Sequence, residues 1–184
     1  MAAESGSKCF LSFQKKFTVE KRDGGSMAEQ EILFSAEDER FMQMAIDLAK
    51  QAALEDEVPI GAVLVHKGEV ISRAYNRREQ NKCATHHAEI LAIEEGCRTL
   101  GGWRLPECTL YVTMEPCAMC AGAIVNARIP RVVFGVPDLR FGAFGSLFDL
   151  SALPTNHKPL VEGGLLREEC LSLLRAYFKE KRKN

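Results

Sequence analysis

Hydrophobic residues recur along this chain at two different spacings, which together predict an alternation of helices and strands. The helical spacing begins after Ser35, which stands three residues before Asp38 in a capping-box-like arrangement typical of a helix start. One apolar stripe follows at that spacing, formed by Phe41, Met44, Ala45, Leu48 and Ala52. We therefore expect an amphipathic first helix whose stripe faces a protein core.

Period-two and β-rich runs predict the strands. Residues 60–65 and 69–75 flank a short turn and predict a hairpin, and further strands are expected at 109–113, 131–135 and 160–162. Helices are expected over 88–100, after Pro116 and over 165–181, with a polar loop at 76–85. Pro116 suits the first helical position because its missing N–H loses no hydrogen bond there. The alternation favours a layered α/β domain with a mixed five-stranded sheet flanked by helices.

The chain length is consistent with one catalytic domain. With 184 residues and 46% hydrophobic content, it can bury a substantial core but is short for two full domains. Residues 23–26, Asp-Gly-Gly-Ser, have the composition of a flexible joint. We predict a disordered extension over residues 1–34, within which Met27 is an alternative start, and a folded domain over residues 35–184.

The cysteines and the net charge narrow the cellular location and the class of partner that we expect. Seven cysteines are an odd number, and two of them have metal-ligand spacing, which favours a reducing cytoplasmic location over a disulfide scaffold. No apolar run is long enough to span a bilayer, so we expect no membrane partner. Because the formal net charge is only -1, a polyanionic partner would need a local basic surface, and the stretch 179–183 near the C-terminus offers one.

Two short motifs carry the candidate chemistry: His87-Ala88-Glu89, and Pro116-Cys117-Ala118-Met119-Cys120. An imidazole and two thiolates are ligands that zinc favours, and three protein ligands leave a fourth position for water. Zinc lowers the pKa of such a water toward neutrality, and Glu89 is the candidate group to move its protons. A purely structural zinc would need a fourth protein ligand, for which His86, Cys83 and Cys97 are candidates.

The pairing of His-x-Glu with Pro-Cys-x-x-Cys resembles the signature of the zinc-dependent nucleobase deaminases. The similarity runs from about Ser35 to the C-terminus and is closest to the bacterial tRNA-specific adenosine deaminases. It includes residues 58–65, 75–77, 109–117 and 129–135. The resemblance implies a cytidine-deaminase-like fold, in which two helix N-termini bring the histidine and the cysteine pair to one metal.

The same resemblance implies a function. We expect hydrolytic deamination of adenosine to inosine at the wobble position of tRNA, with one zinc ion per subunit, Glu89 as proton shuttle, the anticodon loop as substrate and a homodimeric enzyme. It also implies a set of substrate-binding residues, namely Asn76, Ala88, Pro116, Asp138, Asn156 and Phe178.

Several alternatives stay open. The metal motif also occurs in deaminases of free cytosine, cytidine or guanine, and a non-catalytic RNA-binding zinc subunit is a third class. Asn76 also suits a turn, and Phe178 also suits the core of the last helix. His86 stands where the family usually has a small residue, so it is a solvent-facing neighbour, an RNA phosphate contact or a competing metal ligand.

Overall fold

The computed structural model describes residues 33–183. The disorder predicted for residues 1–34, and the alternative start at Met27, therefore lie almost entirely outside the described residues. Helix α1 spans Ala36–Leu54 and begins with the predicted capping box, in which the Asp38 N–H donates to Ser35 Oγ at 3.1 Å and the Ser35 N–H donates to the Asp38 carboxylate at 2.9 Å. This reciprocal pair satisfies two N–H groups that a helix start leaves without partners.

Five strands form one mixed sheet, which confirms the predicted fold class. They are β1 (Gly61–His66), β2 (Glu69–Tyr75), β3 (Cys108–Met114), β4 (Arg131–Val136) and β5 (Leu160–Gly163), in the order β2-β1-β3-β4-β5. Strand β1 runs antiparallel to both β2 and β3, whereas β3, β4 and β5 are parallel. The parallel pairing places the carboxyl ends of β3 and β4 at one edge.

Helices cover both faces of the sheet. On one face Leu64, Leu110 and Val132 pack with α3 (Ala88–Leu100) and α4 (Ala118–Ala127). On the other, the alternate residues Val63, Tyr111 and Val133 pack with α1 and α5 (Arg167–Lys181). Successive strand side chains point to opposite faces, which produces three layers with a core on each side of the sheet.

The predicted apolar stripe of α1 accounts for only part of the buried face of this helix. Met42, Ile46 and Ala49 are buried as well, whereas Met44 and Leu48 are only half-buried. The helix is covered by the sheet and by α5, so its buried face is wider than the spacing indicated.

Three predicted boundaries were wrong. The polar loop 76–85 contains a short helix, α2 (Arg78–Asn81), which forms because the distant Glu57 carboxylate accepts the Gln80 N–H at 2.9 Å. Pro116 is not the first helical residue, because Cys117 has extended backbone and is the residue that caps α4. Helix α5 begins at Arg167 rather than at 165, after Leu166 adopts a left-handed conformation with φ 49°. None of the helices described between residues 33 and 183 has the length and apolar character needed to cross a bilayer.

Candidate active site

Two helix N-termini bring three metal-binding side chains together. His87 caps α3, Cys117 caps α4, and Cys120 lies one turn into α4. His87 Nδ1 is 3.7 Å from Cys117 Sγ and 3.6 Å from Cys120 Sγ, and the three ligand atoms all lie within 4.8 Å of one another. The helix dipoles add positive potential at this point, which favours thiolate over thiol.

Protons in this cluster are shared unequally. A hydrogen bond from the Cys120 thiol, with a further one from His87, lowers the pKa of Cys117 to about 3. The pKa of Cys120 is raised because that thiol donates to Cys117, and the pKa of His87 is raised by its hydrogen bond to the same thiolate. One imidazole and two sulfurs converging on one point are the donor set that zinc prefers. The chemistry of these residues therefore fits a zinc ion.

Glu89 lies beside this cluster in the first turn of α3. Its side chain is 3% exposed, and its Oε2 has no hydrogen-bond partner among the described residues. Burial raises the pKa of this carboxyl above its usual range. A buried polar atom without a protein partner is uncommon and points to a ligand or solvent molecule that completes it.

Asn76 is more than a turn residue. It follows β2, is 3% exposed, and its Oδ1 accepts the Ala88 N–H at 3.0 Å. This bond joins the end of β2 to the start of α3, directly beside His87 and Glu89. Because the amide oxygen is engaged, its NH₂ group is the part available to a bound molecule.

The alternative metal ligands lie elsewhere. His86 Nδ1 accepts from the Asn81 side-chain amide at 2.8 Å, and Cys83 Sγ contacts Thr85 Oγ1 at 3.3 Å. Cys97 donates to the Trp103 carbonyl oxygen. Within residues 33–183 the metal-binding group comprises His87, Cys117 and Cys120 without any of these three side chains. The geometry therefore gives no support to a zinc site closed by a fourth protein ligand.

The residues expected to bind RNA lie in different places. Asp138 follows β4 on a loop that returns to residues 116–120, the metal-binding segment. The Asp138 N–H donates to Glu115 Oε2 at 2.9 Å. Asn156 Oδ1 accepts from Arg128 Nη1 at 2.6 Å. Arg128 caps the C-terminal end of α4, which at 1.5 Å per residue is about 15 Å from Cys117. Asn156 therefore contacts the residue at the end of α4 opposite to the end that Cys117 caps.

Phe178 lies on the surface of α5. Its side chain is 38% exposed and meets Tyr177 edge-on, with 5.4 Å between the ring centroids. The alternative that Phe178 belongs to the core is wrong, because the buried face of α5 is formed by Cys170 and Leu174.

Two buried acidic residues, one of them directly before Pro116 and Cys117, were not predicted from the sequence. Glu115, 3% exposed, accepts backbone N–H groups from the loop that follows β4, and Glu57, 1% exposed, accepts one from α2. Their partners lie 23 to 31 residues away in sequence. The only local signal was the position of Glu115 directly before Pro116 and Cys117.

A family model for the cytidine and deoxycytidylate deaminase zinc-binding region matches residues 35–136 of the chain. The match includes all of His87, Glu89, Cys117 and Cys120. The chain belongs to the cytidine and deoxycytidylate deaminase family. Among members of this deaminase family, it is 51% identical over 148 residues to a tRNA-specific adenosine deaminase of Bacillus subtilis, covering 80% of this chain and 92% of the relative.

Solved structures of deaminases show the same similarity. A structure from studies of A-to-I editing by tRNA:A34 deaminases at the wobble position of transfer RNA matches with a TM-score of 0.71 and 46% identity, covering 73% of this chain and 99% of that one. A guanine deaminase from Bacillus subtilis matches with a TM-score of 0.53 and 37% identity, covering 54% and 64% of the two chains. The fold is thus shared by deaminases of a tRNA base and of a free base.

Proposed function

We propose that this deaminase converts adenosine to inosine at the wobble position of tRNA. The observation that carries the proposal is the combination of 51% identity to a tRNA-specific adenosine deaminase with a buried, unpartnered Glu89 beside three converging metal-binding side chains. The reaction consumes one water molecule and releases ammonia. An unpaired loop base enters such a pocket without the full cost of melting a duplex.

His87, Cys117 and Cys120 would hold one zinc ion per subunit. When bound, zinc lowers the pKa of water so that hydroxide is available near neutral pH. The remaining chemistry belongs to Glu89, which accepts a proton from the attacking water and delivers it to the ring nitrogen. It then accepts the proton of the hydroxyl group added to the ring carbon and delivers it to the departing amine, which leaves as ammonia. Its burial supports this role, because desolvation raises the pKa of the Glu89 carboxyl and so makes the carboxylate a stronger proton acceptor.

The base is oriented by groups around this carboxylate. The Asn76 NH₂ group donates to the purine, while the Asn76 oxygen stays bound to the Ala88 N–H. Ala88 and Pro116 form apolar walls beside the metal ligands. Asp138, Asn156 and Phe178 contact the RNA outside the target base, and the bond from Arg128 at the C-terminal end of α4 to Asn156 is consistent with a contact of this kind.

We also propose a homodimer, from the family resemblance, and a cytoplasmic location, from the odd number and metal-ligand spacing of the cysteines. Sedimentation of the purified protein measures the first, and a single monomeric species across the working concentration range would refute it. Fractionation of cells measures the second.

The function is tested by zinc analysis together with an assay on transcribed tRNA, adenosine, guanine, cytosine and cytidine. Inosine in RNA is read as guanosine in cDNA, so the product is located to the nucleotide. We expect turnover of the tRNA at the wobble adenosine. Faster turnover of guanine would instead favour the free-base reaction of the structurally similar guanine deaminase, and zinc binding without any turnover would favour the non-catalytic RNA-binding subunit.

A further inference from the structure

Glu115 joins the metal-binding segment to the loop that follows β4. Its Oε2 accepts the Asp138 N–H at 2.9 Å, and its Oε1 accepts the N–H groups of Phe144 at 3.0 Å and Ser146 at 3.1 Å. The side chain is 3% exposed. One buried carboxylate therefore satisfies three backbone donors on both limbs of residues 138–146, which we call the 138–146 loop.

The loop backbone packs directly on the residues beside Glu115. The Ala143 N–H donates to the Pro116 carbonyl oxygen at 3.0 Å, and Gly142 pairs with Cys117 in an isolated β-bridge. A Cβ atom at Gly142 would lie against Glu115 Oε2 and 2.5 Å from the Asp138 carbonyl oxygen. Glycine at this position therefore lets the loop approach the carboxylate closely enough to bond it.

The same loop turns its other side outward. Leu139 is 77% exposed and Phe141 62% exposed, while Gly142, Ala143 and Phe144 are buried beneath them. The Asp138 side chain is half-buried and caps the Arg140 N–H at 2.9 Å. The loop therefore has a buried inner side that is bonded to Glu115 and Cys117, and an exposed outer side next to the start of α4 that is accessible to a partner.

We propose that Glu115 is a positioning residue for RNA, which holds the 138–146 loop in the conformation that meets the nucleotides flanking the target base. This inference deepens the proposed function and rests on it. Glu115 acts through the loop backbone and does not touch the substrate. Losing it should therefore weaken recognition of the RNA and leave the zinc-binding residues and proton transfer intact.

The test is Glu115→Gln, which keeps the shape but replaces one acceptor oxygen with an NH₂ group facing a backbone N–H. We expect the amides of Asp138, Phe144 and Ser146 to exchange hydrogen at least about tenfold faster, because a buried charged acceptor is lost. For an anticodon stem-loop substrate we expect KM to rise about tenfold, with kcat and zinc content within about twofold of wild type.

A second variant acts on the same contact from the loop side. Gly142→Ala pushes a methyl group against the Glu115 carboxylate. It should therefore reproduce the faster amide exchange and the higher KM. This variant replaces Glu115→Gln in the test if Glu115→Gln does not fold. Gly122→Ala is its matched control on α4, because a Cβ at Gly122 meets nothing within 4 Å. Glu107→Gln is the control for charge, since Glu107 is exposed and pairs with Lys67 at the opposite end of β3.

The outcomes separate this inference from the proposed function. Wild-type protein that does not deaminate the stem-loop refutes the function, whereas the exchange measurement still tests the contact. With an active wild type, unchanged amide exchange in Glu115→Gln overturns the positioning role. Loss of zinc together with kcat at constant KM also overturns it, because Glu115 would then support the metal-binding segment alone.

Discussion

Glu89 is retained at a cost to stability. A carboxyl group buried beside Cys120, with one oxygen lacking a partner among the described residues, loses hydration without full compensation. Groups of this kind persist where the reaction needs them and are tolerated because the rest of the fold is stable enough. Under the proposed function, Glu89 would therefore link stability and activity with opposite signs.

The first prediction concerns this residue. Glu89→Ala should lower kcat by at least about 10²-fold, the lower range for removal of a positioned general acid-base group. Zinc content should be unchanged, and the free energy of unfolding should be equal to or higher than that of wild type. Turnover measured beside zinc analysis and urea unfolding checks all three. Unchanged turnover would remove Glu89 from the mechanism.

Cys117 should behave in the opposite way. Cys117→Ser replaces the sulfur whose pKa is lowered to about 3 and which lies 3.7 Å from His87 Nδ1, so zinc affinity and stability should fall together. Cys83→Ser is the matched control, because Cys83 contacts Thr85 rather than the cluster. Zinc per chain, measured by atomic emission after dialysis, should drop in the first variant only. Wild-type zinc affinity in Cys117→Ser would refute its assignment as a ligand.

Among the elements, α1 is joined to two strands, β3 and β4, through the carboxylate of Asp38. The Asp38 carboxylate accepts the N–H of the cap residue Ser35 at 2.9 Å, the Tyr111 hydroxyl of β3 at 2.6 Å and Arg131 Nη1 of β4 at 2.6 Å. Arg131 Nε in turn donates to Glu162 of β5 at 2.7 Å. Burial opposes ionisation of Asp38, but hydrogen bonds from Arg131, Tyr111 and Ser35 outweigh it and hold the pKa of Asp38 well below its usual range.

This network predicts a pH-dependent loss of stability. Because the folded-state pKa is depressed, the contribution of Asp38 is complete above its ordinary value of 3.8 and disappears as the pH falls toward the lower folded-state value. Asp38→Asn should cost about 2 kcal/mol at pH 7, since the hydrogen bonds from Arg131 and Tyr111 lose their charged acceptor while Arg131 keeps Glu162 as a partner.

Urea unfolding from pH 7 to pH 3 measures the effect. The difference in the free energy of unfolding between wild type and Asp38→Asn should keep its full size between about pH 5 and pH 7. It should become smaller below about pH 4. Asp47→Asn is the control, because Asp47 pairs with Lys50 on the exposed side of α1 and such pairs contribute less than about 1 kcal/mol. A difference that stays constant to pH 3 would contradict the network.

At the scale of the whole molecule, local signals predicted most of the fold. The Ser35–Asp38 capping box lies within one helical turn, and the turn at His66-Lys67-Gly68 lies between strands whose observed bounds are within one residue of the prediction. The candidate metal-binding side chains were also predicted from local signals, because each of the two helix starts that present them has its own short sequence motif. Their roles, and the disorder of residues 1–34, stay predictions.

Features that depend on distant contacts were not predictable. Helix α2 forms around an N–H that donates to Glu57, and the 138–146 loop bends around Glu115, two contacts that bridge more than 20 residues each. Neither segment has a hydrophobic period that would indicate its conformation. The Pro116 boundary failed for a related reason, because Cys117 keeps extended backbone where the loop pairs with it.

Charge distribution is a property of the whole chain, and it sets the last prediction. The formal net charge is -1, so attraction of RNA must come from a local surface. At the end of α5, Lys181 pairs with Asp56 at 2.5 Å and the Tyr177 hydroxyl donates to the Asp56 carbonyl oxygen at 3.0 Å. These contacts hold the basic end of α5 against the turn after α1. Lys179, Arg182 and Lys183 stay exposed.

Replacing Lys179, Arg182 and Lys183 with alanine should weaken binding of the anticodon stem-loop. The slope of log K against log salt should become shallower by about 2, because each phosphate contact to single-stranded RNA releases about 0.7 of a counterion. The matched control replaces Lys50, Lys67 and Arg98, which changes the net charge equally but removes cations that are paired with acidic neighbours. Equal slopes for the two triple variants would mean that overall charge, and not the end of α5, governs attraction of the RNA.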